Sequence, residues 1–147
     1  MFSLSILLTS CKEGGLQYMD FHNASNKEII VVDILFYSSW NYPVEDYHIL
    51  ADTYDRIKSK KRGVNILPGE TVRVLDMIDA YVSMEGHLSG GNCWIFFVLD
   101  AEIVAKSTAE ELTDGRAILD TIYYYYEDIS LIGPVLTYPN DYGHLPD

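Results

Sequence analysis

The pattern of apolar and polar positions along the chain is typical of short β-strands separated by turns. Strands are predicted at residues 16–23, 29–37, 64–67, 71–75, 93–99, 118–126 and 135–138. Val and Ile dominate the first half of the second run, which favours a strand because β-branched side chains fit a pleated sheet. The run 93–99 is apolar throughout, as expected for a central strand that is covered on both faces.

Two local motifs punctuate this pattern. Pro68 and Gly69 occupy the central positions of a predicted type II turn between two strands. In the stretch STAEELTDG, Ser107 as N-cap and Glu110 three residues later match a capping box. Gly115 is placed to end that helix in a left-handed conformation.

The other helical signals are weaker, so strands outnumber helices. Residues 76–85 have apolar positions near helical spacing and are followed by a predicted loop at 86–92. Residues 44–57 fit either a short helix or an irregular edge. The pattern predicts a mainly β fold, a β-sandwich with one or two short helices, with a compact α+β fold as the alternative.

The apolar amino-terminal segment resembles a bacterial lipoprotein signal. Residues 1–8 have the length of a signal-peptide core, and Leu8-Thr9-Ser10-Cys11 resembles the lipobox, whose Cys is lipidated and starts the mature chain. We therefore expect a signal segment at 1–10, a tether at 11–16, one domain at 17–139 and a polar tail at 140–147. No Lys or Arg precedes Cys11, so either the true start lies upstream or the signal is weak. The alternative to a signal is a first β-strand at residues 1–10, with Cys11 as an ordinary core thiol.

The lipobox interpretation determines whether the chain can form an intrachain disulfide. If Cys11 is acylated, Cys93 has no partner for an intrachain disulfide. A lone Cys at the start of an apolar strand is expected to be a buried apolar residue and not a nucleophile.

The net charge narrows the classes of partner. The 147 residues include 22 acidic and 10 basic side chains, for a formal charge of −12. A field of this sign repels phosphate backbones, so we expect no nucleic-acid binding. The charge indicates solubility, or attraction of cations or a basic partner. The chain has no apolar run of the ~20 residues that a transmembrane helix requires.

The order of these features resembles a group of small secreted lipoproteins of Bacteroidetes. The resemblance rests on the lipobox and on FHNASNKEIIVVDILF, ILPGETVRVLD, CWIFFVLDAEIV, AEEL, ILDTIYYYYEDIS and VLTYP. It covers residues 20–139 and implies an immunoglobulin-like β-sandwich, with no catalytic residues and no cofactor to carry over. Residues 128–134 depart from the group, which has a short amphipathic helix where this chain has Gly133-Pro134.

Candidate chemistry is sparse. The four histidines stand far apart, and no spacing typical of a zinc site or a phosphate-binding loop occurs. Asp100 and Glu102 follow a strand at i and i+2, so they are weak candidates for a hard cation such as Ca²⁺ or for an acid and base pair in glycoside hydrolysis. The alternative for Asp100 is structural: its side chain would stabilise the turn after the strand through hydrogen bonds with the backbone.

Two other features are candidate binding elements. The loop at 58–62 is the one basic patch of an acidic chain, and Lys58, Lys60, Lys61 and Arg62 are candidates for contact with phosphate or an acidic glycan; the alternative is a solvated loop. The tyrosine run 123–126 places Tyr124 and Tyr126 on one face of a predicted strand and Tyr123 and Tyr125 on the other, with one pair expected to fill the core. Tyr124 and Tyr126 are candidates for a shelf that stacks on sugars or proteins; the alternative is that the tyrosines cover a sheet under a loop.

These features predict a cell-envelope lipoprotein, anchored to a membrane by lipid at Cys11. We expect a non-catalytic binding or accessory module for a protein or a glycan. The alternatives are a small hydrolase that uses Asp100 and Glu102, and an assembly protein that pairs through a strand edge.

Overall fold

The computed structural model describes residues 17–36, 50–76 and 84–140. Within these ranges the strands are β1 (Tyr18–Asn23), β2 (Ile29–Phe36), β3 (Val64–Ile66), β4 (Thr71–Asp76), β5 (Cys93–Asp100), β6 (Ile118–Tyr124) and β7 (Val135–Tyr138). The helices are α1 (Tyr54–Lys58), α2 (Met84–Leu88), α3 (Ala101–Lys106), α4 (Ala109–Leu112) and α5 (Asp128–Leu131). The prediction of a mainly β fold is confirmed, but the described residues form five short helices where one or two were predicted.

The strands form two sheets. One has three strands in the order β4-β1-β7, with β1 antiparallel to β4 and parallel to β7. The other has four antiparallel strands in the order β3-β2-β5-β6.

The predicted turn at Pro68 and Gly69 carries the chain from β3 in one sheet to β4 in the other, and Gly69 has a φ of +81°. Because an L side chain strains this conformation, Gly suits the position.

The first core lies where side chains of both sheets meet. Met19, Phe21 and Leu136 come from the three-stranded sheet. They share one buried cluster with alternate residues of the four-stranded sheet, among them Phe96 and Ile122. The two sheets therefore bury one face of each against the other.

The second core lies on the opposite face of the four-stranded sheet. Its members from β5 are Cys93, Ile95, Phe97 and Leu99, which alternate with the β5 residues of the first core. Short helices cover this face with Tyr54, Ile57, Val104 and Leu112. Because β5 faces two cores, it is apolar at every position up to Asp100, as the sequence predicted.

Several predicted boundaries are wrong. The capping box lies one residue further on, since the Thr108 hydroxyl accepts from the Glu111 N–H and the Glu111 carboxylate accepts from the Thr108 N–H. Ala101–Lys106 is a helix that the sequence did not predict. Strand β6 ends at Tyr124 and not at residue 126.

The segments around β5 and β7 also differ from expectation. Part of the predicted loop at 86–92 is helical, because α2 runs through Leu88 and a 3₁₀ turn follows at Ser89–Gly91. Helix α5 lies in the segment 128–134, where Gly133-Pro134 had led us to expect no short helix.

Several predicted features fall on residues that the structure does not describe. They are the signal segment and tether at 1–16 with Cys11, residues 77–83 of the predicted helix, residues 44–49 of the ambiguous segment 44–57, and the tail after residue 140. Among the described residues, no helix combines the length and apolarity needed to cross a membrane.

Candidate ligand cleft

Asp100 is a helix cap in this structure. Its Oδ1 accepts hydrogen bonds from the N–H groups of Glu102 at 3.0 Å and Ile103 at 3.2 Å, which are unsatisfied donors in the first turn of α3. Its Oδ2 accepts from the Lys27 ammonium at 2.9 Å. The carboxylate thus joins the start of α3 to the turn between β1 and β2.

The pKa of Asp100 reflects these contacts. Burial alone would raise the pKa, but the hydrogen bonds from Lys27 and the two backbone N–H groups, with the charge of Lys27, lower it overall. A carboxyl group whose pKa is lowered stays ionised near neutral pH, so it is poorly suited to act as a general acid. These observations favour the structural alternative for Asp100.

Glu102 does not share the environment of Asp100. Its side chain is 73% exposed and pairs with Lys106 one helical turn later, with 2.5 Å between Oε1 and Nζ. The two carboxylates predicted as a pair thus bind different lysines. Asp100 is nearly buried and pairs with Lys27, whereas Glu102 lies in solvent and pairs with Lys106. Within the three described ranges, no group of three or more His, Cys, Asp or Glu side chains is arranged to hold a metal ion.

The basic loop is divided by its contacts. The Lys58 ammonium donates to the carbonyl oxygens of Val104 at 2.7 Å and Ser107 at 2.5 Å, which fastens the loop to the end of α3. The Arg62 guanidinium donates to the carbonyl of Asp33. Lys60 and Lys61 lie at the exposed surface. Half of the predicted basic patch therefore has a structural role.

A small hollow adjoins this loop. It has a volume of about 210 Å³, and Lys58 and Lys60 lie in its lining beside apolar residues of β2, α1 and α3. Since Lys58 is already held by two carbonyl groups, the hollow offers fewer charged contacts than the sequence suggested.

The structure separates the two tyrosines that were predicted to share a face. Tyr124 is fully buried in the first core, and its hydroxyl donates to the carbonyl of Gly133 at 2.9 Å. Tyr126 lies beyond the end of β6 and is 52% exposed. Only Tyr126 is therefore placed to contact a ligand at the surface.

Tyr126 lies in the lining of a cleft of about 490 Å³, a size in the usual range for small-molecule sites. The lining residues are Leu88, Ser89, Gly90, Gly91, Asn92, Tyr125, Tyr126 and Glu127. They come from two segments more than 30 positions apart, one before β5 and one after β6. We refer to this site as the tyrosine cleft.

Strand pairing explains how these two segments meet. Strands β5 and β6 are antiparallel neighbours, and Trp94 near the start of β5 pairs with Tyr124 at the end of β6. The residues that precede β5 and those that follow β6 must therefore emerge at the same end of the sheet.

The loop on the β5 side is shaped by two glycines. Gly90 and Gly91 have φ values of +76° and +83°, a region where other L-residues are strained. The Ser89 hydroxyl donates to the carbonyl of Gly86 at 2.8 Å, and the Asn92 side chain donates to the carbonyl of His87 at 2.9 Å. These bonds hold polar side chains in a defined arrangement along the cleft.

The other wall is held by a buried carboxylate. Asp128 is 3% exposed, and its Oδ2 accepts from the N–H of Tyr125 at 2.8 Å, which fixes the turn that carries Tyr126 and Glu127. Burial raises the pKa of Tyr125, and the neighbouring Cys93 sulfur raises it further. Tyr125 thus packs inward while Tyr126 stays exposed.

The tyrosine cleft combines an exposed aromatic ring with hydroxyl, carboxamide and carboxylate groups. Sugars bind to such surfaces because ring C–H groups pack on the aromatic face while hydroxyls find hydrogen-bond partners. The sequence indicated Tyr126, but it did not indicate Ser89, Asn92 or Glu127. The Gly-Gly pair after Ser89 is the available signal, but it predicts only a loop and not a binding site.

No family model, curated protein or solved structure matches this chain. The assignment of a function therefore depends on the geometry of the described residues.

Proposed function

We propose that this chain is a non-catalytic binding module of the bacterial cell envelope and that its ligand is a glycan bound in the tyrosine cleft. The observation that carries the proposal is a cleft of about 490 Å³ in which the half-exposed Tyr126 lies among polar side chains. A protein partner is the competing occupant of the same surface.

Lipid attachment at Cys11 would place the domain on a short tether at a membrane, and the lipobox-like residues are its support. Two sheets with a shared core fit the sandwich that the resemblance to Bacteroidetes lipoproteins implies. The immunoglobulin-like form of that sandwich rests on the resemblance alone.

The two alternative functions have less support. A hydrolase would use Asp100 and Glu102, yet Asp100 is occupied in capping α3 and Glu102 pairs with Lys106 in solvent. Assembly through strand edges would use the outer strands of the two sheets, which are β3, β4, β6 and β7. Strands β3 and β7 have only three and four residues and present few backbone groups for pairing, so such assembly would depend on β4 and β6, which have six and seven.

The test is a binding titration of the full chain against soluble neutral oligosaccharides, by calorimetry or by NMR shifts. We expect Tyr126→Ala to weaken binding about tenfold, because loss of a stacked ring removes about 1.4 kcal/mol of favourable contact.

The matched control is Leu131→Ala, which truncates an apolar side chain that is 74% exposed and outside the cleft lining. Equal affinities of the two variants would argue against the tyrosine cleft as the site. If the chain bound no oligosaccharide but captured envelope proteins through Tyr126, the glycan assignment would be replaced by a protein partner.

A further inference from the structure

The charge of the tyrosine cleft indicates which glycans it accepts. We infer that the cleft prefers an amino sugar with a free ammonium group over neutral and acidic sugars of the same size. This inference rests on the proposed function, since it names the ligand class of the same site.

The first support is the charge of the lining. Glu127 contributes a carboxylate, and no Lys, Arg or His lines the cleft among the residues that the structure describes. Among the described residues, Arg73 pairs with Asp20 and Asp76, Lys106 with Glu102, and Arg116 with Asp114. None of these ion pairs involves Glu127. The Glu127 carboxylate is exposed and thus available to a ligand cation.

The second support is the order of residues along the turn. Tyr126 and Glu127 are consecutive, so an aromatic face and a carboxylate lie within the reach of one sugar ring. A cation near an aromatic ring is attracted by the negative face of the ring, and a carboxylate adds a charged hydrogen bond. A hexosamine ring can stack on Tyr126 while its ammonium group pairs with Glu127.

The third support is a hydrogen-bond acceptor that favours a sugar over a simple cation. Across the cleft, the Ser89 oxygen donates its proton to Gly86 and keeps lone pairs that can accept from a ligand hydroxyl. A lysine side chain would use Tyr126 and Glu127 but would leave the opposite wall without a partner. The cleft as a whole therefore fits a charged sugar better than a lysine side chain.

The surrounding charge acts in the same direction. With a formal net charge of −12, the chain repels uronic acids and attracts protonated amines. The electrostatic field of the whole chain does not depend on any single residue, whereas recognition of the ammonium group in the cleft depends on Glu127. The experiment must therefore separate a local effect of Glu127 from the field of the whole molecule.

The experiment compares three oligosaccharides of equal length with the full chain at moderate salt and at a pH that keeps the amines protonated. The probes are oligomers of glucosamine, of N-acetylglucosamine and of galacturonic acid. We expect glucosamine oligomers to bind at least tenfold more tightly than N-acetylglucosamine oligomers, and galacturonic acid oligomers to bind least. Glu127→Gln should remove most of the advantage of glucosamine and leave the affinity for N-acetylglucosamine unchanged.

The control is Glu110→Gln, which removes one exposed negative charge from α4, outside the cleft lining. Equal losses in the two variants would show that only the general field matters and would overturn the inference. Equal binding of glucosamine and N-acetylglucosamine oligomers, lost in Tyr126→Ala, would overturn the inference but keep the proposed function. Binding of lysine-rich peptides through Tyr126 and Glu127, with no sugar bound, would overturn both.

Discussion

Individual buried polar residues connect the loops of this fold to its strands through hydrogen bonds. Asn23 is fully buried, and its side-chain N–H groups donate to the carbonyls of Lys27 at 2.8 Å and Ile66 at 3.0 Å. Its side-chain oxygen accepts from the N–H of Ser25 at 3.0 Å and from the hydroxyl of the same residue at 2.6 Å. One carboxamide thus connects the β1–β2 turn to β3, with its hydrogen-bonding capacity used fully.

Asp100 gives a pH-dependent prediction at the same scale. Its pKa is lower in the folded chain than the ordinary value of about 3.9, so it contributes stability that is present above that pH and is lost as the pH falls through the folded pKa. We expect Asp100→Ala to lower the free energy of unfolding by about 1–2 kcal/mol near neutral pH, as loss of a helix cap does.

The control variant is Asp100→Asn, whose carboxamide oxygen can still cap α3 but has no charge for Lys27. We expect it to retain part of the stability that Asp100→Ala loses. Urea unfolding at a series of pH values measures both variants. A difference between wild type and Asp100→Asn that does not shrink below about pH 4 would contradict the assigned role.

At the scale of elements, the helices are short and bury residues in the cores, and α3 and α4 also start at side-chain caps. Helices α3 and α4 have six and four residues, too few to be stable alone. Helix α3 starts at the cap made by Asp100 and is fastened at its end by Lys58. Helix α4 starts at the capping box of Thr108 and Glu111 and buries Leu112 in the second core.

The position of the capping box is testable. Thr108→Ala should lower the free energy of unfolding by about 1 kcal/mol, because the side chain of Thr108 satisfies a backbone donor in the first turn of α4. Ser107→Ala is the matched control, since the sequence motif placed the cap at Ser107 and the structure places it at Thr108. Thermal or urea unfolding that ranks Ser107→Ala as the more damaging change would return the cap to the position first predicted.

At the scale of the whole molecule, the four-stranded sheet is shared by two cores. One is closed by the three-stranded sheet and the other by short helices. The tyrosine cleft lies at one end of this sheet, where β5 begins and β6 ends. The formal net charge of the chain is −12, and we expect a field of this sign to favour the approach of cationic ligands.

The anchor is the prediction that concerns the chain as a whole. If Cys11 is the lipidated residue, labelled palmitate will be incorporated into the chain in a bacterial host and lost in Cys11→Ala. Cys93→Ala is the matched control and should keep the label, because Cys93 is buried in the second core. Label that persists in Cys11→Ala would mean that residues 8–11 do not act as a lipobox.

The sequence by itself determined the strand-rich class, the central position of β5 and the left-handed glycines at 69 and 115, because these depend on local patterning and backbone sterics. It did not determine that Tyr124 would be buried while Tyr126 stays exposed, since β6 ends between them. Nor did it show that Asp100 would cap α3.

Only the tertiary structure brought Ser89 and Asn92 to Tyr126 and Glu127. Their meeting requires the antiparallel pairing of β5 with β6, a contact between residues far apart in the chain. Local sequence patterns predict secondary structure, but a binding cleft depends on which strands become neighbours. That choice is made by the packing of two cores around one sheet.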